Sequence, residues 1–338
     1  MALDVKVKID INKPIGKLGY SYPLMLVVES DESPTINDYK ECKTLDEVVK
    51  AGYATTTNAY KTANLIFSQN NAPTKIAIKN CKSTEEVTTI TDCTKYNWRQ
   101  LIVVCEGSTT APTTTVMKSI SDYIETTEKM YFCSVSATTG TSTLTKTNAR
   151  TVVFMYSGTA VCPEAALVGA SAGLTVGSFT YKNLILNGIT PLELTDTQIE
   201  AAHTAGAITF VAKAGDNVTT EGKALNGEYI DIIDSKDFVI QNIEYKLQKV
   251  FNTTNKVPYD NNGIAMLESA VIEVMRDAYN NGIIATNEDG TPAYSVSFAL
   301  RSATTDADRK ARKYPYGRFS FVLAGAIHEA EITGEITI

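Results

Sequence analysis

The sequence predicts an α/β fold with a mostly parallel sheet, followed by a second, mixed α+β part and extended β-arms at both ends. Three observations predict it. Strand-length apolar runs alternate with helix-length amphipathic segments between about residues 21 and 175, the pattern of a sheet covered on both faces. Two longer amphipathic helices follow near residues 234–251 and 264–280. Both ends of the chain then show strict apolar/polar alternation, the period of a one-sided strand.

The composition sets the outer bounds. The chain has 338 residues, 43% of them hydrophobic and 20% charged, which is ordinary globular usage and excludes a wholly disordered polymer. Lys plus Arg is 31 and Asp plus Glu is 38, a net charge of −7, so a basic surface for nucleic acid is not expected. The first residues, MALDVKVKIDINKPIG, have no continuous apolar stretch, so no secretory signal is expected, and no run approaches the ~20 apolar residues of a membrane helix. Membrane binding by the chain itself is therefore not expected. The cysteines at 42, 81, 93, 105, 133 and 162 include no Cys-x-x-Cys pair, and reduced core thiols are expected rather than a zinc site.

Taken in order, strands are expected at 23–29, 75–79, 100–105, 130–134 and 151–156, and helices at 45–51, 60–69, 84–91, 115–126 and 163–172. The Thr-rich tracts 108–115 and 137–147 read as loops. Gly169, Gly173 and Gly177, spaced by four, fit a small-residue packing face of a helix rather than a nucleotide-binding turn. Beyond residue 177 come extended segments within 179–194, a short helix at 196–205 and a strand at 207–212. Asp234 is a plausible N-cap, with Asp237 three residues on, for a helix whose stripe is Val239, Ile240, Ile243, Leu247, Val250 and Phe251. The next helix buries Ile264, Leu267, Val271, Val274 and Ala278, and Gly282 stands just past its end.

The ends carry the functional signal. Val5, Val7, Ile9 and Ile11 alternate with Lys6, Lys8, Asp10 and Asn12, and Ile332, Ile336 and Ile338 alternate with Glu331, Thr333, Glu335 and Thr337. A strand with an apolar face must pair, either within its own domain or with another chain. Lys6 and Lys8 would complement Glu331 and Glu335 in an N-strand to C-strand pair.

Catalytic chemistry is thinly represented. His203 and His328 are the only histidines, and neither sits in a nucleophile, metal or acid–base motif. The stretch 215–223 ends in Gly-Lys, but six residues separate its glycines and Ala224 stands where magnesium would need Ser or Thr. No catalytic residue, metal ligand or cofactor is expected. The segment DADRKARK (306–313) holds four basic and two acidic side chains, an exposed loop or helical turn whose basic cluster could hold an acidic neighbour. Strand–helix alternation alone also suits a cytosolic α/β nucleotide-binding protein or enzyme, and that alternative rests on fold class only.

The C-terminal third resembles the contractile tail sheath proteins of myophages and of phage-tail-like (R-type) bacteriocins. The resemblance is carried by GEYIDIIDSKDF (227–238), KVPYD (256–260) with Gly263-Ile264 following, DRKARK (308–313) and LAGAIHE (323–329), in this order and spacing. Upstream, GYSYPLML (19–26) looks like the family's first strand after its N-terminal arm and 179–191 like its middle segment, while Phe238 stands where a Trp-like aromatic is common. The resemblance implies a structural subunit, not an enzyme. Such subunits stack as six-membered rings around an inner tube, exchange terminal β-strands with their neighbours, and contract from an extended metastable lattice to drive the tube through a target envelope. The implied partners are other copies of the chain, the inner tube protein, and baseplate and tail-terminator proteins. Synthesis in the bacterial host cytoplasm and release of a virion tail or tail-like particle by lysis are implied as well. The implied division is an N-terminal arm (1–20), an α/β domain (21–175), a sheath domain contacting tube and neighbours (176–318) and a C-terminal β-arm (319–338). Lys246 and Lys249, on the polar face of the first long helix, are candidates to face the tube.

Overall fold

The computed structural model describes residues 22–29, 38–107 and 111–329. The chain divides into two compact units, Met1–Gln248 and Lys249–Ile338.

The first unit is built on a seven-stranded sheet in the order β2-β3-β1-β4-β5-β6-β7. Its strands are β1 (Tyr22–Glu29), β2 (Lys40–Cys42), β3 (Ile76–Lys82), β4 (Trp98–Cys105), β5 (Met130–Val135), β6 (Thr151–Met155) and β7 (Ala207–Ile208). All pairs are parallel except β2 with β3. Period-two alternation sorts even these fully apolar strands into two cores. Met25 and Val27 of β1 face one core, with α1 (Leu45–Lys50), α2 (Asn58–Phe67) and α5 (Glu164–Ala172). Leu24, Leu26 and Val28 face the other, with α3 (Glu86–Cys93), α4 (Thr114–Ile124) and α6 (Asp196–Thr204). The expected mostly parallel α/β sheet is thus present, and each expected strand and helix up to residue 172 has its counterpart within a few residues.

The four-residue glycine spacing has the expected packing role at two of its three positions. A Cβ on Gly169 would lie 2.6 Å from the Ile66 carbonyl oxygen, and one on Gly173 would lie 2.1 Å from that of Asn71. Backbone of α5 therefore approaches backbone of α2 as only glycine allows. Gly177 lies past the helix in a turn with φ of 93°. All six cysteines are free and buried, as core thiols.

The region after residue 172 departs from expectation in three places. The extended segments of 179–194 form only isolated bridges, Ile185 to Val218 and Leu192 to Val211. The expected strand at 207–212 is two strands: β7 joins the large sheet, and β8 (Phe210–Lys213) forms a hairpin with β9 (Asp216–Thr219). Thr209 between them is fully buried, and its N–H donates to Thr220 Oγ1 at 3.3 Å, which turns the chain out of the sheet. The hairpin turn takes Ala214 and Gly215 through positive φ, so the Gly-Lys stretch begins in a β-turn rather than a phosphate loop. Finally, α7 (Ile230–Thr253) begins four residues before Asp234, so Asp234 is not its N-cap.

In the second unit α8 (Asn261–Asn280) is capped by Asp260, whose carboxylate accepts the N–H groups of Asn262 and Gly263, each at 3.0 Å. Its buried face holds the expected Ile264, Leu267, Val271, Val274 and Ala278, together with Met275. Gly282 takes φ of 82° one residue beyond the C-cap Asn281. Strand β10 (Tyr294–Phe298) and β11 (Gly317–Phe321) form a two-stranded antiparallel sheet, and the short helix α9 (Asp306–Lys310) lies in the connection between them.

Candidate functional site

Open parallel sheets bind ligands in the crevice beyond the carboxyl ends of their strands, and phosphates there sit on helix N-termini. Here the chain fills that position with its own carboxylate. Glu106, just past β4, accepts the N–H of Asn58 at 3.0 Å and of Ala59 at 2.7 Å, the first two residues of α2. Asn58 Nδ2 donates to the Cys105 carbonyl oxygen at 2.8 Å, which fixes the junction. At the ends of β1 and β3, Tyr53 donates to Asn80, and Asn80 donates to Glu29. Glu164, the first residue of α5, is buried, and burial pushes its carboxyl up to about 7. Carboxylates thus stand where a nucleotide would need N–H groups and cations. The nucleotide-binding alternative finds no support in this crevice.

The strongest charge constellation lies at the start of α7. Arg99 Nη2 pairs with Asp234 Oδ1 and Arg99 Nη1 with Asp237 Oδ2, both at 2.6 Å. Arg150 grips Asp237 with two hydrogen bonds of 2.7 and 3.0 Å, and Tyr181 Oη donates to Asp234 Oδ2 at 3.0 Å. Burial raises the Asp237 carboxyl, but the Arg99 charge and the Arg150 contacts outweigh it and hold the group below the usual carboxylate range. Burial disfavours the Arg99 charge, and Asp237 and Asp234 reverse that, keeping the guanidinium protonated. Asp234 and Asp237 lie one helical turn apart, so one guanidinium spans both. The sequence reading missed this cluster. Its signal was Arg99 just ahead of the apolar run Leu101–Cys105 in β4, and two carboxylates on the apolar side of α7.

The sequence-predicted site residues fall into two groups. Val5, Lys6, Val7, Lys8, Ile9, Ile11, Glu331, Ile332, Glu335, Ile336 and Ile338 lie outside the described residues. Lys246 is half-buried and Lys249 exposed on α7, three residues apart and so on neighbouring positions of one face. The apolar stripe of α7 fades along its length: Val239 and Ile243 are buried, Leu247 and Val250 half-buried, and Phe251 is 47% exposed. His203 bonds Thr220 Oγ1 at 2.9 Å, and partial burial lowers its pKa, a structural role.

The β10–β11 sheet places Tyr294, Val296, Phe298, Phe319 and Phe321 on a half-buried face and Ser295, Ser297, Arg318 and Ser320 on the exposed one. Residues 319–321 of the expected C-terminal arm are therefore paired within their own chain, and Leu323 bridges Ile284. Among the described residues this sheet has two strands, so each strand has one outer edge. Also among the described residues, no cluster of metal-ligating side chains occurs and no helix is long and apolar enough to cross a membrane.

Comparison with known proteins fits these features. Residues 230–336 match the family model described as the C-terminal domain of E217 tail sheath protein gp31-like proteins. The whole chain is similar to a chain of the anti-feeding prophage baseplate, with a TM-score of 0.73 and 13% identity over 100% of this chain and 99% of that one. It is similar to the sheath of an extracellular contractile injection system, PVC, in its contracted state, with a TM-score of 0.71 and 12% identity over 99% and 98%. The crystal structure of a sheath tail protein from Desulfitobacterium hafniense matches with a TM-score of 0.61 and 10% identity over 84% and 92%. No curated protein sequence matches the chain. Residues 230–336 thus match a tail sheath C-terminal domain, and along nearly its whole length the chain has the fold seen in the sheath and baseplate chains of contractile injection particles.

Proposed function

We propose that this chain is a contractile sheath subunit that polymerises as stacked six-membered rings around an inner tube and contracts from an extended state. The observation that carries the reading is the match of residues 230–336 to a tail sheath C-terminal domain. The two-stranded β10–β11 sheet supports it, because an outer strand edge accepts main-chain hydrogen bonds from an added strand. The alternating segments around Val5–Ile11 and Ile332–Ile338 are the strands to be added, donated by neighbouring copies, with Lys6 and Lys8 opposite Glu331 and Glu335. Head-to-tail contacts of this kind propagate into rings and helical stacks.

Within this reading, residues 1–20 and 319–338 act as arms, the second rooted by its residues 319–321 in its own chain's sheet, with 21–175 as the α/β domain and 176–318 as the sheath domain. Lys246 and Lys249 face the tube protein, and baseplate and terminator proteins bound the stack. The subunit is made in the host cytoplasm and works in a released virion tail or tail-like particle. Contraction needs no nucleotide; its free energy comes from interfaces that differ between the extended and contracted lattices.

Electron microscopy of the purified chain, alone and with its tube protein, tests the reading. Rings or hollow cylinders are expected, and a species that stays monomeric under all conditions overturns it. Deleting residues 1–11 or 332–338 should abolish assembly while leaving both units folded. Normal cylinders from either truncated chain would sink the arm exchange.

A further inference from the structure

The connection between β10 and β11 carries a charge pattern that the sheath reading leaves unused. From residue 301 to 318 it holds Arg301, Arg309, Lys310, Arg312, Lys313 and Arg318 against Asp306 and Asp308, a local balance of +4 on a chain of −7. Both carboxylates and one of the cations are engaged within the loop. Arg309 pairs with Asp306 and donates to Thr304, while Asp308 accepts from Thr305 Oγ1 at 2.7 Å and from Tyr316. The remaining five, Arg301, Lys310, Arg312, Lys313 and Arg318, are exposed.

The loop is also held rigid. The Tyr314 ring stacks on Phe298 at 5.8 Å, with Tyr316 at 5.6 Å and Tyr259 at 6.1 Å edge-on to it. Tyr314 Oη donates to the Ala299 carbonyl oxygen at 2.7 Å and Tyr259 Oη to that of Lys313 at 3.0 Å. Arg312 adopts φ of 54°, and Lys313 N–H closes back on the Asp308 carbonyl oxygen at 2.9 Å. That is the left-handed position after a helix that glycine normally fills, and a side chain there costs ~1 kcal/mol. A cationic side chain kept at a strained position on an ordered loop points to a use for its charge.

A complementary surface exists on the same chain. Residues 183–212 contain no Lys or Arg, and their three carboxylates, Glu193, Asp196 and Glu200, are all exposed. They mark the N-terminal part of α6; at its C-terminal end Lys146 donates to the Ala205 carbonyl oxygen at 2.6 Å, and Lys182, Lys213 and Lys223 lie near His203. Asp196 and Glu200 are four apart on α6 and share a face, with Glu193 just ahead of the N-cap Thr195. Resting on the proposed self-assembly, we infer that the basic loop 301–318 of one copy docks on the acidic α6 surface of a second copy, a head-to-tail electrostatic contact separate from the exchanged arms. Single exposed pairs contribute at most about 1 kcal/mol, but several charges on an ordered loop act together, and the contact repeats with every subunit.

Two charge-reversed chains test the contact. One carries Lys310→Glu, Arg312→Glu and Lys313→Glu, and the other carries Glu193→Lys and Glu200→Lys. At about 0.1 M salt each alone should need a concentration raised by roughly tenfold or more to assemble, and an equal mixture should assemble nearly as wild type. Normal assembly of the loop variant, or failure of the mixture to recover, overturns the contact. Arg312→Gly separates charge from fold: it should raise the stability of the isolated subunit yet weaken assembly, and unchanged assembly would count against the role given to this residue. If the arm deletions block assembly while the charge reversals leave it intact, the sheath reading stands and this contact falls. Wild-type chain that never assembles would remove both.

Discussion

The two units bury themselves to very different degrees. In the first, the strands from β3 to β6 lie inside the sheet between its edge strands β2 and β7, with helices on both faces, and Arg99 and Asp237 are buried against each other. In the second, both strands of the sheet alternate half-buried and exposed positions, and Leu300, Val322 and Ile327 are 57%, 60% and 90% exposed. The contrast teaches which part is finished as a monomer. The first unit encloses its sheet, though a few buried polar atoms such as Thr62 Oγ1, Gln100 Oε1 and Tyr131 Oη lack a partner, whereas among the described residues the second leaves apolar side chains and strand edges uncovered. In the proposed sheath this separation would let interfaces change while the body stays intact.

The largest expected effect strikes the finished unit. Arg99→Met leaves Asp234 and Asp237 buried with one cation fewer, and loss of one partner from a buried ionic cluster costs about 3–5 kcal/mol. Chemical denaturation of the variant should show that loss. A change below about 1 kcal/mol would break the comparison, since the α7 root would then be held by something other than its charges.

A slightly smaller effect appears as a pH dependence. Burial places the Glu164 carboxyl at about 7, against an ordinary value of 4.5. A raised carboxyl gives stability that is greatest at low pH: between 4.5 and 7 the unfolded chain has released this proton while the folded chain retains it. Stability therefore falls across that window, by an amount on the order of 3 kcal/mol, and flattens above it. Glu164→Gln should remove this contribution to the decline, so that the variant gains on wild type as pH rises from 4.5 to 7. Parallel stability curves for the two proteins over that range would refute the buried neutral acid.

A third effect tests the close approach of α5 to α2. Gly169→Ala places a methyl 2.6 Å from the Ile66 carbonyl oxygen and 2.8 Å from its Cα, and relief requires a backbone shift costing about 1–3 kcal/mol. Thermal unfolding of this variant would sharpen the comparison, because no such intolerance is expected at Gly325 in the second unit, where a Cβ meets nothing within 4 Å. The φ of 64° at Gly325 still carries its own modest cost, so the informative reading is the difference between the two positions.

The sequence foretold the strands and helices up to residue 172 far better than the stretch between 173 and 248, for a physical reason. Buried parallel strands read as apolar runs such as Leu101–Cys105, and amphipathic helices such as α4 carry their own period, so local pattern suffices. It failed where partners were distant. Asp234 and Asp237 resemble helix-start residues, yet their partner Arg99 lies more than 130 residues away, and nothing local distinguishes a capping carboxylate from a buried one. The strand expected at 207–212 divides because Thr209 meets Thr220 across eleven residues, again a tertiary event. The basic loop followed the same rule. DADRKARK marked its charge, but the aromatic support from Tyr259 and Phe298 came from other segments.

The smallest expected effect on stability lies on the unfinished unit, and it separates folding from assembly most cleanly. Ile327→Ser and Val322→Thr remove apolar surface that is already mostly in water, so the isolated subunit should change by less than about 0.5 kcal/mol. If those side chains are covered in the polymer, the same substitutions discard that burial at each repeat, at about 25 cal/mol per Å² of apolar area. The expected outcome is an unchanged unfolding curve together with a higher concentration for assembly, measured by sedimentation of the polymer. An equal loss in both measurements would mean that these residues serve their own unit's core, and the second unit would then be as complete as the first.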